Sequence, residues 1–308
     1  MASNIMIAGV AGFIGRYVAR HFLELGWSVI GIDSSASENA PLASLIAYYT
    51  LRLPDSQLHE ILQKHQPDVF IHCAGRAAVS LSMSEPTPDF YANTVVTYEV
   101  LNALRLNAPD CRFIYLSSAA VYGNPEFLPI SETQIPAPVS PYGFHKLQSE
   151  VLCQEFTQVY GLATASVRIF SAYGPGLRRQ VLWDICQKLI TQKTLILQGT
   201  GQESRDFIHT LDIAKAFRVI ACDAPMQGEV YNLASGQEVT IMELATLVLS
   251  SLESDCTPQF DGVVPSGTPL NWRADVSKLE ELGFTTSVPL ERGVKTFANW
   301  CLAELVGV

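Results

Sequence analysis

Short apolar segments alternate with longer amphipathic ones through the first half of the chain, and this alternation restricts the fold more than any other feature. Most of the short segments are apolar throughout, as expected of strands covered on both faces. The predicted strands are Asn4–Ala8, Ser28–Ile32, Val69–Cys73, Arg112–Ser117 and Thr164–Ile169. The predicted helices are Ile14–Leu25, Gln57–His65, Asp89–Leu106 and Pro141–Tyr160. Repeated β-α-β order predicts an α/β fold with a Rossmann-like, doubly wound parallel sheet.

The first predicted strand is followed by three glycines, Gly9, Gly12 and Gly15, and then by a helix. Such glycines permit a tight turn, let a diphosphate approach the backbone and let helix and strand pack closely. The second strand ends in Asp33, whose carboxylate can accept hydrogen bonds from a ribose and would repel a 2′-phosphate. No arginine follows Asp33, so the pattern favours NAD over NADP. The alternatives are an ordinary tight turn and an ordinary turn aspartate.

After about Ile169 the alternation is lost, because Pro and Gly cluster and short helices and loops replace it. We therefore predict a dinucleotide-binding domain over residues 1–170 and a smaller C-terminal α/β substrate-binding lobe over residues 171–308. The boundary is soft, and part of the lobe is expected to return to the sheet.

Composition excludes several classes of partner. The formal net charge is −10 with no Lys/Arg-rich block, which argues against nucleic acid and anionic membranes. No apolar run approaches the ~20 residues that cross a bilayer, and the N-terminus lacks a signal-peptide pattern. The seven cysteines are scattered without a Cys-x-x-Cys pair. We expect a cytoplasmic protein without a metal or a disulfide framework.

Tyr142 and Lys146 form a Tyr-x-x-x-Lys pattern at the start of a predicted helix, which places both side chains on one face. A nearby ammonium and a nicotinamide ring would stabilise the phenolate, so that Tyr142 can exchange a proton with a hydroxyl while hydride is transferred. Ser118 ends the preceding strand, where its hydroxyl can hold the reacting oxygen. The alternatives are surface residues for the pair and a serine that satisfies local backbone.

Together these segments resemble the extended short-chain dehydrogenases, specifically the NAD-dependent epimerase/dehydratase family of nucleotide-sugar enzymes. The resemblance covers nearly the whole chain. Besides the glycine loop, the Ser-Ser-Ala-Ala-Val-Tyr-Gly run and the Tyr142/Lys146 pair, the segments that carry it are Val69–Gly75, Asn93, 168–175, 199–201, 205–209, 231–233 and 274–279.

The resemblance implies roles for individual residues. The implied catalytic residues are Ser118, Tyr142 and Lys146. The implied NAD-binding residues are Gly9, Gly12, Phe13, Ile14, Gly15, Asp33, Ser34, Ala74, Asn93, Ser117, Tyr142, Lys146 and Ile169. The implied substrate-binding residues are Ser118, Ser171 and Arg205, with Arg205 holding the diphosphate of a nucleotide sugar. The alternative for Arg205 is an ion pair with Asp206 or Asp212. Family likeness also implies a homodimer through the helices at Asp89–Leu106 and Pro141–Tyr160.

The resemblance narrows the chemistry to a few reactions. Dehydratases of the family carry an acidic pair where this chain has Ala119-Ala120, so loss of water is not expected. Alanines at these positions are typical of 4-epimerases, which oxidise a sugar hydroxyl and return hydride to the other face of the ketone. A net sugar dehydrogenase or keto-sugar reductase remains an alternative, as does a dinucleotide-binding regulator without catalysis.

Three positions depart from the family pattern. Ser171 stands where the family often has Asn, and Thr50 lies where an acidic residue near the adenine is usual. The run Val264–Gly267 lacks the arginine that usually precedes a Pro-Gly pair. Arg273, Arg178 and Arg179 are candidate substitutes for that arginine. Among the histidines, we expect His72 to be packed and hydrogen-bonded rather than a ligand.

Overall fold

A computed structural model describes residues 3–36, 44–192, 194–263 and 269–307. The elements of the first half are β1 (Asn4–Ala8), α1 (Phe13–Glu24), β2 (Ser28–Asp33), β3 (Ala47–Thr50), α2 (Gln57–His65), β4 (Val69–His72), α3 (Val79–Ser84), α4 (Pro86–Phe90), a π-helical turn (Tyr91–Val95), α5 (Val96–Asn107), β5 (Arg112–Ser118), a 3-10 turn (Ala119–Tyr122), α6 (Pro141–Tyr160) and β6 (Thr164–Ile169). All five predicted strands and the four helical regions are present, with ends that differ by a few residues.

The remaining elements are β7 (Ser171–Tyr173), α7 (Gln180–Gln192), β8 (Ile196–Leu197), β9 (Ser204–Arg205), β10 (Phe207–His209), α8 (Thr210–Asp223), β11 (Gln227–Leu233), β12 (Val239–Thr240), α9 (Ile241–Ser251), β13 (Gln259–Phe260), α10 (Ser277–Glu280) and α11 (Leu290–Val306). Three two-stranded pairs, β7 with β10, β8 with β13 and β9 with β12, stand apart from the main sheet.

The main sheet has seven parallel strands in the order β11-β6-β5-β4-β1-β2-β3. Alternate residues of each strand face opposite layers: Ile5 and Ile7 pack with α1 and α8, whereas Met6 and Ala8 pack with α2, α5 and α6. The predicted α/β class with a doubly wound parallel sheet is therefore confirmed. The strand order reverses between β1 and β4, and ligands of such sheets bind at that point.

The chain after residue 170 contributes to two packing units. The helix α8 and the strand β11 join the main sheet, and β11 pairs with β6. The helices α7, α9 and α11 form a separate apolar cluster with parts of the short strands. Within the described residues, none of the helices is both long enough and apolar enough to cross a bilayer.

One predicted helix is wrong in its interior. Asp89–Leu106 was expected to be continuous, but α4 gives way to the π-helical turn before α5 begins. The side-chain amide of Asn93 donates to the carbonyl oxygen of Asp89 at 3.1 Å, and the Thr97 hydroxyl donates to the Asn93 carbonyl at 2.6 Å. These side-chain donors compete with the ordinary backbone pattern, a local effect that hydrophobic periodicity does not reveal.

Candidate active site

The loop between β1 and α1 contains glycines where other residues would clash. Gly9 has a φ of +78°, and a Cβ atom there would lie 2.7 Å from the amide nitrogen of Ala74. A Cβ atom on Gly15 would lie 2.1 Å from the carbonyl oxygen of Gly9. The Gly9 amide donates to the Ile32 carbonyl at 2.8 Å, which ties the loop to β2. These contacts explain two of the three glycines by close backbone approach.

The start of α1 leaves backbone donors available to a ligand. Gly12 is the N-cap of the helix, it is exposed, and no side chain caps it. Phe13 and Ile14 form the first helical turn and are half-buried. The free amides of a helix N-terminus carry partial positive charge and favour phosphate. The cradle therefore fits the diphosphate of a dinucleotide.

Asp33 lies beside this loop at the end of β2. Its carboxylate accepts hydrogen bonds from the Ala11 amide at 3.0 Å and from the Ser35 amide at 2.9 Å. Each carboxylate oxygen has more than one acceptor site, so a ribose hydroxyl can still be bound. Ser34 is exposed at the same edge. The geometry fits an adenosine ribose that carries no 2′-phosphate.

The opposite wall of the crevice contains a buried polar atom without a protein partner. Asn93 is 1% exposed, and its side-chain oxygen accepts no hydrogen bond within the described residues. A Cβ atom on Gly75 would lie 2.7 Å from that oxygen, so the glycine keeps it accessible from the strand end. An unsatisfied buried acceptor is costly and fits a donor on a ligand or an ordered water. Ala74 is half-buried at the same place.

Two adjacent serines at the end of β5 have different partners. The Ser118 hydroxyl accepts a hydrogen bond from the Ala120 amide at 3.2 Å and caps the 3-10 turn. The Ser117 hydroxyl is buried and donates to the Glu150 carboxylate at 2.5 Å. The single hydroxyl proton of Ser117 is therefore committed to Glu150, and its contact with the cofactor stays a prediction. Ala119 and Ala120 are buried after Ser118.

Tyr142 and Lys146 are presented by the first turns of α6. The Ser140 hydroxyl caps the helix by accepting from the Gly143 amide at 3.2 Å, and Pro141 is suited to the first helical position. The Lys146 ammonium donates to the Leu116 carbonyl at 2.9 Å and lies 5.8 Å from the centre of the Tyr142 ring. Both side chains are buried on the helix face toward β5.

The ionisation of this pair is perturbed in both members. Burial raises the pKa of the Tyr142 phenol above its usual value, and a hydrogen bond with Ser118 and the positive charge of Arg179 oppose that rise. Burial lowers the pKa of Lys146 to about 8, which Asp89 opposes more strongly than the other charged groups. Perturbed ionisation in a crevice marks the pair as a candidate functional site.

Arg205 lies in β9 and has no carboxylate partner within the described residues. One guanidinium nitrogen donates to the carbonyls of Ser204 at 2.7 Å and Leu270 at 3.1 Å, and the guanidinium lies 5.5 Å from the centre of the Trp272 ring. Burial lowers the pKa of Arg205 to about 10.

The expected alternative for Arg205, an ion pair with Asp206 or Asp212, is wrong. Asp206 instead accepts hydrogen bonds from Ser235, Gly236 and Ala274. Asp212 accepts from Ser287 and Val288 and lies 3.5 Å from the ammonium of Lys215.

The positions that depart from the family pattern differ in whether their side chains already have partners within the protein. Ser171 is half-buried in β7, where its amide donates to the Asp206 carbonyl at 2.9 Å. Arg178 is paired with Glu304 through two nitrogens, at 3.0 and 2.7 Å. Of the candidate substitutes, Arg179 is the one whose charge acts on Tyr142. The run Val264–Gly267 lies outside the described residues.

Comparison with known proteins identifies the family. The family model for the NAD dependent epimerase/dehydratase family matches residues 5–234. The chain belongs to this family. A putative UDP-glucose 4-epimerase of Methanocaldococcus jannaschii is 28% identical over 96% of this chain and 97% of its own length.

Solved structures of epimerases have the same fold. The UDP-glucose 4-epimerase of Thermotoga maritima, solved with UDP-glucose, superposes with a TM-score of 0.90 at 27% identity, covering 98% of this chain and 99% of that one. The UDP-glucuronic acid 4-epimerase of Bacillus cereus, in complex with UDP-glucuronic acid and NAD, has a TM-score of 0.89 at 26% identity over 97% and 98% of the two chains. The family resemblance predicted from the motifs is confirmed.

A buried network beneath the catalytic pair was missed by the sequence reasoning. The Glu150 carboxylate receives Arg168 through two nitrogens, at 3.0 and 2.6 Å. Arg168 also donates to the Tyr122 hydroxyl at 2.8 Å, and that hydroxyl donates to the Asn232 side chain at 2.7 Å. Glu150 follows Lys146 by four residues on the same helix face, and this spacing is the only local signal for the network.

His72 departs from its predicted hydrogen bonding. It is buried and packs among aromatic rings, 6.0 Å from the centres of both Phe113 and Tyr115. Neither ring nitrogen has a hydrogen-bond partner in the described part of the chain. Burial lowers the pKa of His72 to about 3, so the ring is neutral at physiological pH. Across the described residues, His, Cys, Asp and Glu form no group of three or more that could hold a metal ion.

Proposed function

We propose that the protein is an NAD-dependent nucleotide-sugar epimerase that inverts C4. The observation that carries the proposal is the convergence of Ser118, Tyr142 and Lys146 at one strand end, where Ala119 and Ala120 supply neither acid nor base. Such a site can exchange one proton with a hydroxyl, but it lacks the further groups needed to expel water. The epimerases among the relatives and structural neighbours support the same reaction.

NAD would be held across the reversal point of the sheet. The backbone at Gly9, Gly12, Phe13, Ile14 and Gly15 would bind its diphosphate, and Asp33 with Ser34 would bind its adenosine ribose. The remaining proposed contacts are Ala74, Asn93, Ser117, Tyr142, Lys146 and Ile169. When bound, NAD supplies the acceptor for hydride from the sugar carbon.

The chain's own groups would manage the proton and the oxygen. Ser118 would hold the reacting sugar hydroxyl, and the Tyr142 phenolate would accept its proton. The Lys146 ammonium favours the phenolate, because a nearby positive charge stabilises the ionised form. Inversion without net oxidation would require two returns to the keto-sugar: the hydride to the opposite face of the carbon, and the proton from Tyr142 to the oxygen.

The substrate would lie between the sheet and the C-terminal lobe. The domain boundary would lie at about residue 170. Residues 1–170 would bind the cofactor, and residues 171–308 would supply most of the substrate contacts. Arg205 would bind the diphosphate, because its half-buried guanidinium lies over the Trp272 ring and has no carboxylate partner among the described residues. Ser171 would contact the same group.

The test is to incubate the purified protein with UDP-glucose, UDP-N-acetylglucosamine and UDP-glucuronic acid and to follow the products by proton NMR. An epimerase converts at least one of them into its 4-epimer and accumulates no NADH. Accumulation of NADH with a keto-sugar would instead establish a net dehydrogenase. If both the wild type and Tyr142→Phe bind NAD and neither converts a nucleotide sugar, the protein is a dinucleotide-binding regulator.

We also propose a homodimer through α4 to α6. Large apolar side chains are exposed along these helices, including Tyr91, Tyr98, Phe144, Val151 and Val159. Exposed apolar side chains on neighbouring helices favour association with a second copy. Sedimentation equilibrium should give twice the chain mass of 33.7 kDa.

Buried free thiols at Cys111 and Cys153 are compatible with the reducing cytoplasm as the compartment.

A further inference from the structure

A buried carboxyl group lies against the catalytic helix and has no part in the function proposed above. Asp89, in α4, is 1% exposed. One of its carboxylate oxygens lies 2.6 Å from Nδ1 of His145. The other is buried and has no hydrogen-bond partner within the described residues. Burying a carboxylate is unfavourable unless it is paired. The contact with His145 supplies a partner for one of the two oxygens.

His145 brings this carboxylate close to the catalytic groups. It stands between Tyr142 and Lys146 in the sequence of α6, and its side chain is 12% exposed. The ring of Phe90 covers it edge-on at 5.4 Å between ring centres. The position of the imidazole is therefore fixed by α4 on one side and by its own helix on the other.

The charge of Asp89 acts on both catalytic groups. Against burial, it is the strongest of the charges that raise the pKa of Lys146, and it also raises the pKa of Tyr142. A carboxylate favours an ammonium and disfavours a phenolate, so its two effects on proton transfer oppose each other. A positive charge on His145 would reduce the effect of Asp89 on the pKa of Lys146 and its effect on the pKa of Tyr142.

We propose that Asp89 and His145 form a buried ion pair that sets the electrostatic field at Tyr142 and Lys146. The two are positioning residues, since they act through the catalytic pair and not on the substrate. The inference rests on the proposed function for its catalytic meaning, but the charge state of the pair is a property of the protein itself.

The other ionisable groups around the pair are few. The helix α3 contains no titratable side chain between Val79 and Ser84. Glu85, which precedes α4, is exposed and paired with Arg76 at 2.7 Å. The further groups whose charge acts on Tyr142 or Lys146 are Cys73 after β4, Glu150 and Cys153 on α6, and Arg179 before α7.

The first measurement is the protonation of the His145 ring at neutral pH by nitrogen-15 NMR. The His145 signal is identified among those of the six histidines by its loss in His145→Gln. The ion pair predicts a doubly protonated ring in the wild type and a singly protonated ring in Asp89→Asn. A singly protonated ring in the wild type would overturn the proposal. This readout requires neither substrate nor turnover.

The second measurement is the ionisation of Tyr142 in the NAD-loaded protein, from its carbon-13 ζ resonance, identified by loss in Tyr142→Phe. Asp89→Asn removes the carboxylate and should lower the midpoint by about one pH unit. His145→Gln removes the positive charge but keeps a donor, and it should raise the midpoint by a similar amount. The double variant should return close to the wild-type value.

Glu85→Gln is the matched control, because it removes one carboxylate four residues away at an exposed site and should leave the midpoint unchanged. Shifts of the same sign in Asp89→Asn and His145→Gln would indicate a packing role and refute the ion pair. If Asp89→Asn does not fold, His145→Gln alone tests the ion pair. An unchanged Tyr142 midpoint in that variant would refute the ion pair as well. Opposite shifts in a protein that converts no nucleotide sugar would disprove the proposed function and leave the ion pair intact.

Discussion

Two buried cations at the sheet-facing side of α6 have opposite environments. Arg168, beneath the helix, is held by two carboxylate oxygens of Glu150 and by the Tyr122 hydroxyl. Lys146, on the crevice side, has a single carbonyl partner at 2.9 Å and no carboxylate within ion-pair distance among the described residues. Arg205 resembles Lys146 in having only carbonyl partners and a stacked ring.

The presence or absence of a carboxylate partner separates charges that stabilise the fold from charges that are available to a ligand. A buried charge that is fully paired contributes to a unique structure, whereas an unpaired one is costly until something binds. The effect on pKa follows the same division: Glu150 and Tyr122 outweigh burial and raise the pKa of Arg168, whereas burial prevails and lowers the pKa of Lys146 and Arg205.

The largest expected effect separates two buried tyrosines. Tyr142→Phe should lower turnover by about a thousandfold, because its phenol is the group proposed to exchange the proton, and it should leave NAD content unchanged. Tyr122→Phe should instead lower stability, because its hydroxyl joins Arg168 to Asn232, and should largely preserve turnover. Turnover assays and urea unfolding of both variants check this. Similar losses of turnover in the two would refute the division.

The next effect concerns the paired cation. Arg168→Met should reduce the free energy of unfolding by about 3–5 kcal/mol, because it leaves the Glu150 carboxylate buried with Ser117 as its remaining side-chain partner. The matched control is Arg178→Met, which removes a similar two-nitrogen contact to Glu304 at the exposed surface and should cost at most about 1 kcal/mol. Urea unfolding at constant pH measures both. Equal losses would show that burial does not distinguish the two pairs.

Lys146 should behave in the opposite way. Its pKa is lowered from 10.5 to about 8 in the folded protein, so its charge destabilises the fold below pH 8 and this cost disappears as the pH rises toward about 10.5. Lys146→Met should therefore stabilise the cofactor-free protein by about 2 kcal/mol at neutral pH while abolishing activity. The gain should vanish between pH 8 and 10.5. Unfolding curves across this range check it, and a pH-independent gain would contradict the assignment.

The smallest expected effect tests the substrate side. Arg205→Lys should raise KM for the nucleotide sugar by about tenfold and change kcat little, because lysine keeps the charge but loses the two-pronged contact with a diphosphate. Arg178→Met, whose guanidinium is already taken by Glu304, is expected to leave KM unchanged. Steady-state kinetics with a UDP-sugar measure both. An unchanged KM in Arg205→Lys would remove Arg205 from the substrate site.

Much of the sheet was predictable because its signals are local. The five predicted strands and the positions of Gly9, Gly15 and Asp33 follow from apolar runs and from the chemistry of one turn. The edge strand β3 was missed, since three half-buried residues and one exposed residue give little pattern. The π-helical turn was missed because Asn93 and Thr97 act through their side chains on the backbone.

The sequence by itself determined the fold class, the family and the chemical types at the site, because glycine spacing, strand periodicity and the Tyr142–Lys146 spacing are all properties of neighbouring residues. The tertiary structure alone decided which charges are neutralised. Glu150 meets Arg168 across 18 positions and Asp89 meets His145 across 56, and such pairs form only when separate elements pack together. Whether a charge is paired or left for a ligand therefore depends on packing, since burial and partner geometry set its free energy.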